Sequence, residues 1–480
     1  MPPYLAPPAR IAAWLSRLAL IYACFLASPW TLVARPVKPN FIVIFCDDLG
    51  YGDIGPFGST LNRTPHLDRM AQEGMRLTSF YSSCSVCSPS RASLMTGCYA
   101  QRLDMHVNDK NLCVLFPGDR KGLSPSEVTI AEVLRPHGYA TACIGKWHLG
   151  DQPAFLPTRQ GFDRYFGIPY SNDMKETKDG TRPPLPLMRN ERVIEAPAEQ
   201  STLTKRYTDE TIDFINQHQD RPFFIYLPHT FPHVPLFAGV DYLGKSGNGL
   251  YGDVIEELDA STGAILNTLR KLRLHHRTLV VFTSDNGAMF GRGRSNGVLR
   301  GHKGTTWEGG MREPFLAWWP GQIPPDTTSG ALASTLDVLP TLTHLAGAKL
   351  PENRILDGHN LWPVLGRLPG GRSACDYFYY YQMDQLQALR DARWKLHLPM
   401  VAKQRNWGAP EPASPLMLFD LSSDTGESHD LADAYPAVVE RLLQQAQQMR
   451  PELGDRGLVA QGRRASGWVE SPELLRITTR

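Results

Sequence analysis

The run Phe41-Ile42-Val43-Ile44-Phe45 is continuously apolar and consists of β-branched and aromatic residues. Such a run is typical of a strand buried on both faces, because a strand with one solvated face alternates apolar and polar residues. Further strands are predicted at 140–144, 223–227 and 278–283, and helices at 64–73, 129–135 and 252–272. This alternation predicts an α/β fold in which helices cover both faces of a sheet.

A seam rich in Pro and Gly lies between residues 350 and 373. Beyond it, residues 377–381, 394–398 and 416–421 are strand-like, and residues 437–449 are helix-like. We therefore predict a large domain at 38–350, a small antiparallel α+β subdomain at 351–450, and a weakly patterned tail at 451–480, partly disordered. Residues 153–197 are rich in Pro, Gly and charge and are predicted to form a long loop region.

The composition is that of an ordinary globular protein, with 42% hydrophobic and 20% charged residues among 480. The formal net charge of +2 is nearly neutral, and no basic stripe or stacking-aromatic module is present. These properties exclude a nucleic-acid partner. Any strong positive potential should be local and directed at a small anion.

The N-terminus is typical of an export signal. Arg10 and Arg17 precede an apolar stretch at 18–27, and Leu32-Val33-Ala34 offers a cleavage site. The stretch is shorter than the roughly 20 residues that a membrane helix needs. We predict a signal peptide over 1–34 and an exported protein (periplasmic, secreted or lysosome-like), in preference to a membrane anchor or a lipoprotein attached at Cys24. Export permits disulfide bonds, whose pairing the spacing leaves open, although Cys46 is predicted to be a core thiol.

Oxygen donors follow two of the predicted strands. Asp47 and Asp48 follow the first strand, and Asp285 and Asn286 follow the strand at 278–283. Functional loops gather at the carboxyl ends of strands in such sheets. Three carboxylates and an amide suit Ca²⁺ or Mg²⁺ better than zinc, although paired Asp residues after a strand are often only a cap or turn.

The run Cys87-Ser88-Pro89-Ser90-Arg91, followed by Thr96-Gly97, allows two interpretations. Buried cysteine is common, and Pro with Ser suits the start of a helix. The run also resembles the signature C-x-P-S-R-x-x-x-x-T-G of type I sulfatases. In that family a separate maturation enzyme oxidises the cysteine to formylglycine (3-oxoalanine), and the hydrate of this aldehyde is the nucleophile.

The resemblance extends from about residue 39 to residue 432 and is strongest to arylsulfatase A-like and N-acetylgalactosamine-6-sulfatase-like members. Further motifs of the family are Gly145-Lys146-Trp147-His148-Leu149-Gly150, Gly167-Ile168-Pro169-Tyr170-Ser171, Pro232-His233-Val234-Pro235 and Gly301-His302-Lys303-Gly304. The resemblance implies an alkaline phosphatase-like fold, with a large mixed sheet between helices and a smaller C-terminal antiparallel sheet.

The resemblance also implies the site. The metal, Ca²⁺ or Mg²⁺, would be held by Asp47, Asp48, Asp285 and Asn286, together with the formylglycine from Cys87. The catalytic residues would be Arg91, Lys146, His148, His233 and Lys303, and Ser171, Lys146, His233 and Lys303 would bind the sulfate. The implied partners are a sulfate-ester substrate and the maturation enzyme.

These residue types suit sulfate transfer. The three basic side chains and the metal ion preorganise positive charge around the anion. A metal-bound hydrate is acidic, so one hydroxyl can attack sulfur. His233 or Lys303 would protonate the leaving oxygen, and His148 would accept the proton of the second hydroxyl.

Three alternatives remain at this stage. A phosphonate monoester or phosphodiester hydrolase of the alkaline phosphatase superfamily shares the metal site, but Ser171, His233 and Lys303 favour a sulfatase. A binding module without activity would require a broken site, and every catalytic residue type is present. A thiolate mechanism at Cys87 does not account for the oxygen-rich cluster.

The alcohol that carries the sulfate is not identified by these motifs. Export and the Pro-rich loops favour a sulfated sugar. His397 and the aromatic run at 377–381 could flank the leaving group, although packing within the small sheet is the favoured interpretation of the aromatic residues.

Overall fold

A computed structural model describes residues 38–289, 293–400 and 413–477. The predicted signal peptide at 1–34 lies outside these residues. No helix in the described part of the chain is both long and apolar enough to cross a membrane. Residues Lys38–Arg480 group into one compact unit, and the domain boundaries at 350 and 450 stay predictions.

The strands of the described residues, in chain order, are β1 (Asn40–Cys46), β2 (Met75–Tyr81), β3 (Lys121–Gly122), β4 (Ala140–Ile144), β5 (Arg164–Gly167), β6 (Leu187–Arg189), β7 (Arg192–Glu195), β8 (Phe223–Pro228), β9 (Thr278–Ser284), β10 (Arg312–Trp318), β11 (Thr327–Ser329), β12 (Ala333–Ser334), β13 (Phe378–Gln382), β14 (Gln385–Arg390), β15 (Trp394–His397), β16 (Met417–Asp420) and β17 (Gly467–Trp468). The α-helices are α1 (Pro65–Gln72), α2 (Cys87–Thr96), α3 (Ile130–Leu134), α4 (Leu203–Gln217), α5 (Gly249–Lys271), α6 (Glu308–Met311), α7 (Val338–Leu345), α8 (Trp362–Leu365) and α9 (Pro436–Leu453).

The large sheet has the strand order β11-β2-β10-β9-β1-β8-β4-β5-β6-β7, with β12 paired to β2. Its centre, β9-β1-β8-β4-β5, is parallel. Antiparallel β10 joins the parallel centre to β2 on one side, and the β6–β7 hairpin adds antiparallel strands on the other. The predicted large mixed sheet is therefore confirmed.

The central strand β1 separates two hydrophobic clusters. Phe41, Val43 and Phe45 belong to one cluster, with side chains of α2, α3 and α7. Ile42 and Ile44 belong to the other, with side chains of α1, α4 and α5. Successive side chains of a strand point to opposite faces, so an uninterrupted apolar run becomes a strand covered by helices on both sides.

The second sheet is antiparallel, with the order β13-β14-β15-β16. It was predicted apart from β14, and the tyrosines of β13 are buried in its hydrophobic cluster together with side chains of α9. Packing is thus the role of this aromatic run. Part of the tail is also ordered by pairing, because β17 forms an antiparallel ladder with β3.

The prediction of a long loop region over residues 153–197 missed three short strands. This segment contains β5, β6 and β7, which extend the large sheet to its edge. Each strand has only three or four residues, and β7 is exposed or half-buried along its length. Short edge strands carry little hydrophobic periodicity, so the pattern could not reveal them.

Candidate active site

An acidic cluster lies where β1 and β9 end. The two strands are parallel neighbours, paired in register to their last residues, so the residues that follow them lie side by side. The Asp48 backbone N–H donates to Asp285 Oδ1 at 3.1 Å, and Asn286 Nδ2 donates to Asp48 Oδ1 at 2.7 Å. With Asp47, these residues form a buried group of oxygen donors.

The cluster has the chemistry of a divalent-cation site. Asp48 Oδ2 and Asn286 Oδ1 are buried and have no hydrogen-bond partner among the described residues. Burial and the neighbouring Asp47 carboxylate raise the pKa of Asp285 to about 7, because crowded like charges resist ionisation in a poorly solvated environment. A hard cation would satisfy the unpaired oxygens and offset this repulsion, so the residues present fit Ca²⁺ or Mg²⁺.

Cys87 is the first residue of α2 and faces this cluster. Its Sγ lies 3.4 Å from Asp47 Oδ1 and 3.4 Å from Lys303 Nζ. Ligand atoms of Cys87, Asp47, Asp48 and His233 all lie within 4.8 Å of one another. Burial and the Asp47 carboxylate raise the pKa of the Cys87 thiol well above its usual value, whereas a thiolate mechanism requires a lowered pKa.

Arg91 lies one helical turn after Cys87, on the same side of α2. Its Nε and Nη2 donate to Asp285 Oδ2 at 3.0 and 2.7 Å, and its Nη1 donates to the Lys146 carbonyl at 2.9 Å. Its Nη2 also lies 3.4 Å from Asp47 Oδ1. The guanidinium therefore contacts two carboxylates of the cluster and one loop of the site.

Lys146 and Ser171 enter from the loops that follow β4 and β5. The Lys146 backbone N–H donates to the Pro228 carbonyl at 2.7 Å, which fixes the start of its loop. Its Nζ lies 2.5 Å from Asp47 Oδ2 and 3.2 Å from Ser171 Oγ. Burial alone would raise the pKa of Asp47, but the cations around it, Lys146 first, hold this pKa well below its usual value.

His148 lies on the same loop as Lys146 and is buried. Its Nε2 lies 2.9 Å from the Leu115 carbonyl. A carbonyl only accepts hydrogen bonds, so Nε2 must carry a proton and Nδ1 is left as an acceptor in the neutral ring. Burial and the Lys146 charge lower the pKa of His148 well below its usual value, which favours that neutral form.

His233 follows β8 and contacts the acidic cluster. Its Nε2 lies 3.5 Å from Ser171 Oγ and 3.7 Å from Asp48 Oδ2. Its Nδ1 lies 3.1 Å from Asn172 Oδ1. Burial, together with the charge of Lys303, lowers the pKa of His233.

Lys303 belongs to the segment 301–310, which we call the lysine loop. Its Nζ lies 2.7 Å from Asp48 Oδ1. The loop is tied to the Cys87 segment because the Gly304 backbone N–H donates to the Ser85 carbonyl at 2.8 Å. The lysine loop thus places a cation beside both the acidic cluster and Cys87.

The small sheet supports the lysine loop through buried polar contacts. Lys395 Nζ donates to the Thr306 carbonyl at 2.8 Å and lies 2.9 Å from both Glu308 Oε1 and Glu427 Oε1. Glu427 Oε2 accepts from the Glu308 backbone N–H at 2.7 Å. Lys395, Glu308 and Glu427 are fully buried, and we call them the buried ionic bridge.

His397 was considered as a residue that could flank the leaving group. Its ring is fully buried, stacks on Trp307 at 4.0 Å between centroids, and lies 2.9 Å from Glu427 Oε1. It therefore supports the lysine loop. Lys395, Glu427 and Asn172 were not predicted from the sequence. Of the three, only Asn172 lies next to a predicted site residue, Ser171, and its position could have indicated a role.

Comparison with known proteins identifies the family. The family model described as Sulfatase matches residues 39–348, and the one described as N-sulphoglucosamine sulphohydrolase, C-terminal, matches residues 302–452. Arylsulfatase A of Homo sapiens is 42% identical over 453 residues, which cover 86% of this chain and 87% of that protein. N-acetylgalactosamine-6-sulfatase of Canis lupus familiaris is 38% identical over 410 residues, 82% of this chain and 77% of that protein.

Solved structures agree. The PsFucS1 sulfatase from Pseudoalteromonas sp. superposes with a TM-score of 0.78 at 28% identity, covering 94% of this chain and 95% of that chain. The phosphonate monoester hydrolase SpPMH from Silicibacter pomeroyi has a TM-score of 0.62 at 20% identity over 88% of this chain and 97% of its own, and this likeness shows the fold alone. The chain therefore belongs to the sulfatase family of sulfuric ester hydrolases.

Proposed function

We propose that this sulfate-ester hydrolase acts on the sulfate monoesters of aryl alcohols or sugars, with a formylglycine made from Cys87 and a bound Ca²⁺ or Mg²⁺. The observation that carries the proposal is the position of Cys87 Sγ, 3.4 Å from both Asp47 Oδ1 and Lys303 Nζ. The reacting atom thus lies between a metal ligand and a cation. Asp47, Asp48, Asp285 and Asn286 would hold the metal, together with the oxidised Cys87.

The metal and the oxidised residue would supply a cationic anchor for the sulfate oxygens and an acidic hydroxyl as nucleophile. Lys146 and Lys303 add two buried ammonium groups, which are preorganised for a negatively charged transition state. Arg91 contributes indirectly, because its guanidinium holds the Asp285 carboxylate in position. These roles account for the clustering of all three basic side chains around one acidic centre.

His148 and His233 have different roles in proton transfer. His148 donates through Nε2 to a backbone carbonyl, so its Nδ1 is a suitable acceptor for the proton released when sulfate leaves. Lys303 and His233 both contact the acidic cluster, and one of them would protonate the leaving oxygen. The phosphate-ester alternative keeps the same metal ligands, but no contact in the described residues favours it.

The names of the relatives include both an arylsulfatase and a sulfatase of a sulfated amino sugar, which supports testing both substrate classes. We further propose that a maturation enzyme oxidises Cys87 and that the chain is exported through its segment 1–34. Calcium is proposed as the physiological ion, because the oxygen-rich donor set also suits its flexible coordination.

The function is tested by combining turnover and mass spectrometry on protein from its native host. We expect release of sulfate from a chromogenic aryl sulfate, and slower hydrolysis of the matched aryl phosphate diester. The tryptic peptide at 77–91 should carry the aldehyde at Cys87 and an unmodified Cys84, an internal reference. Faster hydrolysis of the diester, or active protein with unmodified Cys87, contradicts the proposal.

Removal of the metal is expected to abolish turnover reversibly. Chelation leaves three carboxylates crowded together and removes the anchor of the sulfate, so activity should return only with an added divalent cation. Initial rates after dialysis against chelator, followed by titration with Ca²⁺ or Mg²⁺, measure this. Full activity in exhaustively chelated protein would show that the acidic cluster does not serve a metal.

A further inference from the structure

A chain of polar side chains runs through the candidate active site. Lys146 Nζ lies 3.2 Å from Ser171 Oγ, which lies 3.5 Å from His233 Nε2. His233 Nδ1 lies 3.1 Å from Asn172 Oδ1, and Asn172 Nδ2 lies 3.0 Å from the Pro235 carbonyl. The side chains of Lys146, Ser171, His233 and Asn172 are all buried, so their hydrogen bonds are made within the protein.

The two ends of this chain fix its direction. The Pro235 carbonyl only accepts, so the atom of Asn172 that contacts it must be the NH₂ group, and Oδ1 must face His233. The Val234 carbonyl lies 2.5 Å from His233 Nδ1 and, like Asn172 Oδ1, can only accept a hydrogen bond from it. At the other end the Lys146 ammonium only donates, so Ser171 accepts from it and has its own proton to give.

We infer that Asn172 is a positioning residue that fixes neutral His233 with its proton on Nδ1, so that Nε2 faces the reaction site as an acceptor. The hydrogen bonds then run in one direction, from Lys146 through Ser171 and His233 to Asn172. The competing arrangement puts the proton on Nε2, towards Asp48 Oδ2. That oxygen lies at 3.7 Å, beyond hydrogen-bond distance, and this arrangement would leave Oδ1 of Asn172 without a donor.

The inference rests on the proposed function and refines it. Neutral His233 directs no N–H at the site, whereas the Lys303 ammonium carries three. With the ring in this neutral tautomer, the Lys303 ammonium would supply the proton to the leaving oxygen. Its N–H bond breaks as the new O–H bond forms on the leaving alcohol, and Nζ becomes a neutral amine.

The tautomer itself can be measured on the wild-type, metal-loaded protein. With ¹⁵N-labelled histidine, at a pH where the ring is neutral, His233 is assigned by the loss of its signals in a His233→Gln variant. We expect a protonated, pyrrole-type Nδ1 and an unprotonated, pyridine-type Nε2. The reverse pattern overturns the inference. This spectrum does not require activity, so absence of sulfatase turnover would refute the proposed function while leaving the tautomer decided.

The role of Asn172 is tested by Asn172→Leu, with Gln200→Met as the matched control. Gln200 Oε1 also accepts from Asn172 Nδ2, at 3.0 Å, but the Pro235 carbonyl keeps the amide oriented without it. We expect Asn172→Leu to lower kcat about tenfold, as loss of an outer partner of a functional histidine does. A minor population of Nε2-protonated His233 should also appear, because the Val234 carbonyl alone, of the two acceptors named above, remains for Nδ1–H. KM should change less, because the lysines still hold the sulfate.

Gln200→Met should keep both the wild-type kcat and a single tautomer, whereas a general packing defect would affect the two variants alike. Equal losses in both variants, or an unchanged His233 spectrum in Asn172→Leu, would overturn the positioning role.

Discussion

Cys87→Ala is expected to abolish the hydrolysis of aryl sulfates, with kcat falling on the order of 10⁶-fold, the scale seen when the nucleophile of a hydrolase is removed. The substitution deletes the atom that lies 3.4 Å from Asp47 Oδ1 and leaves the four proposed oxygen ligands of the metal in place. Initial rates on metal-loaded protein measure the loss. Because alanine is smaller and apolar, the fold should be retained, which a thermal unfolding curve checks.

The matched control is Cys84→Ala, three residues earlier. Cys84 is also buried, but it packs with Val86 and Cys113 away from the acidic cluster. We expect this variant to keep its turnover. Turnover in Cys87→Ala comparable with that of the wild type would remove Cys87 from the reaction, and equal losses in both variants would indicate damage to the segment that precedes α2.

Lys395→Met is expected to lower the free energy of unfolding by about 3–5 kcal/mol, the cost of leaving buried charges without their partner. The ammonium lies 2.9 Å from two fully buried carboxylates, of Glu308 and Glu427. Methionine fills a similar volume and offers neither charge nor hydrogen bond. Calorimetry should therefore show a lowered thermal midpoint, and turnover should fall as well because the lysine loop loses its support.

Lys205→Met provides the control for this prediction. Lys205 pairs with Asp209 across one turn of α4, with side chains 70% and 55% exposed, and such pairs contribute about 0.5 kcal/mol or less. We expect an unfolding midpoint close to that of the wild type. If Lys395→Met is as stable as the wild type, the buried ionic bridge does not contribute to the stability of the protein.

Much of the fold could be predicted because burial on both faces leaves a simple pattern. The run around Val43 has no polar interruption, and its register with β9 explains why Asp48 and Asp285 meet. By contrast, β14 escaped prediction because its buried positions include Gln387 and Arg390. Gln387 accepts a hydrogen bond from Thr306 Oγ1 at 2.9 Å, so partners distant in sequence make these polar residues compatible with a core strand.

Separation along the chain also explains which residues of the site could be predicted and which could not. Cys87, Lys146 and Lys303 lie in contiguous motifs, where neighbouring residues reveal their role. The bridge residues Lys395 and Glu427 act through partners about 90 and 120 positions away along the chain, a separation at which local spacing carries no information. Asn172 could not be predicted for a different reason, because its role depends on which of its two amide atoms faces His233.

The burial of Cys87 sets an order of events during synthesis. Its side chain is only 2% exposed in the folded protein, and it is buried between α2, the acidic cluster and a loop braced by residues near the end of the chain. The oxidation that we propose for Cys87 therefore requires a maturation enzyme to reach this side chain before the surrounding structure has folded. The contacts of the lysine loop with residues 395 and 427 can form only after those residues have been synthesised. Under the proposed maturation, a molecule that folds before its Cys87 is oxidised would be stable and inactive.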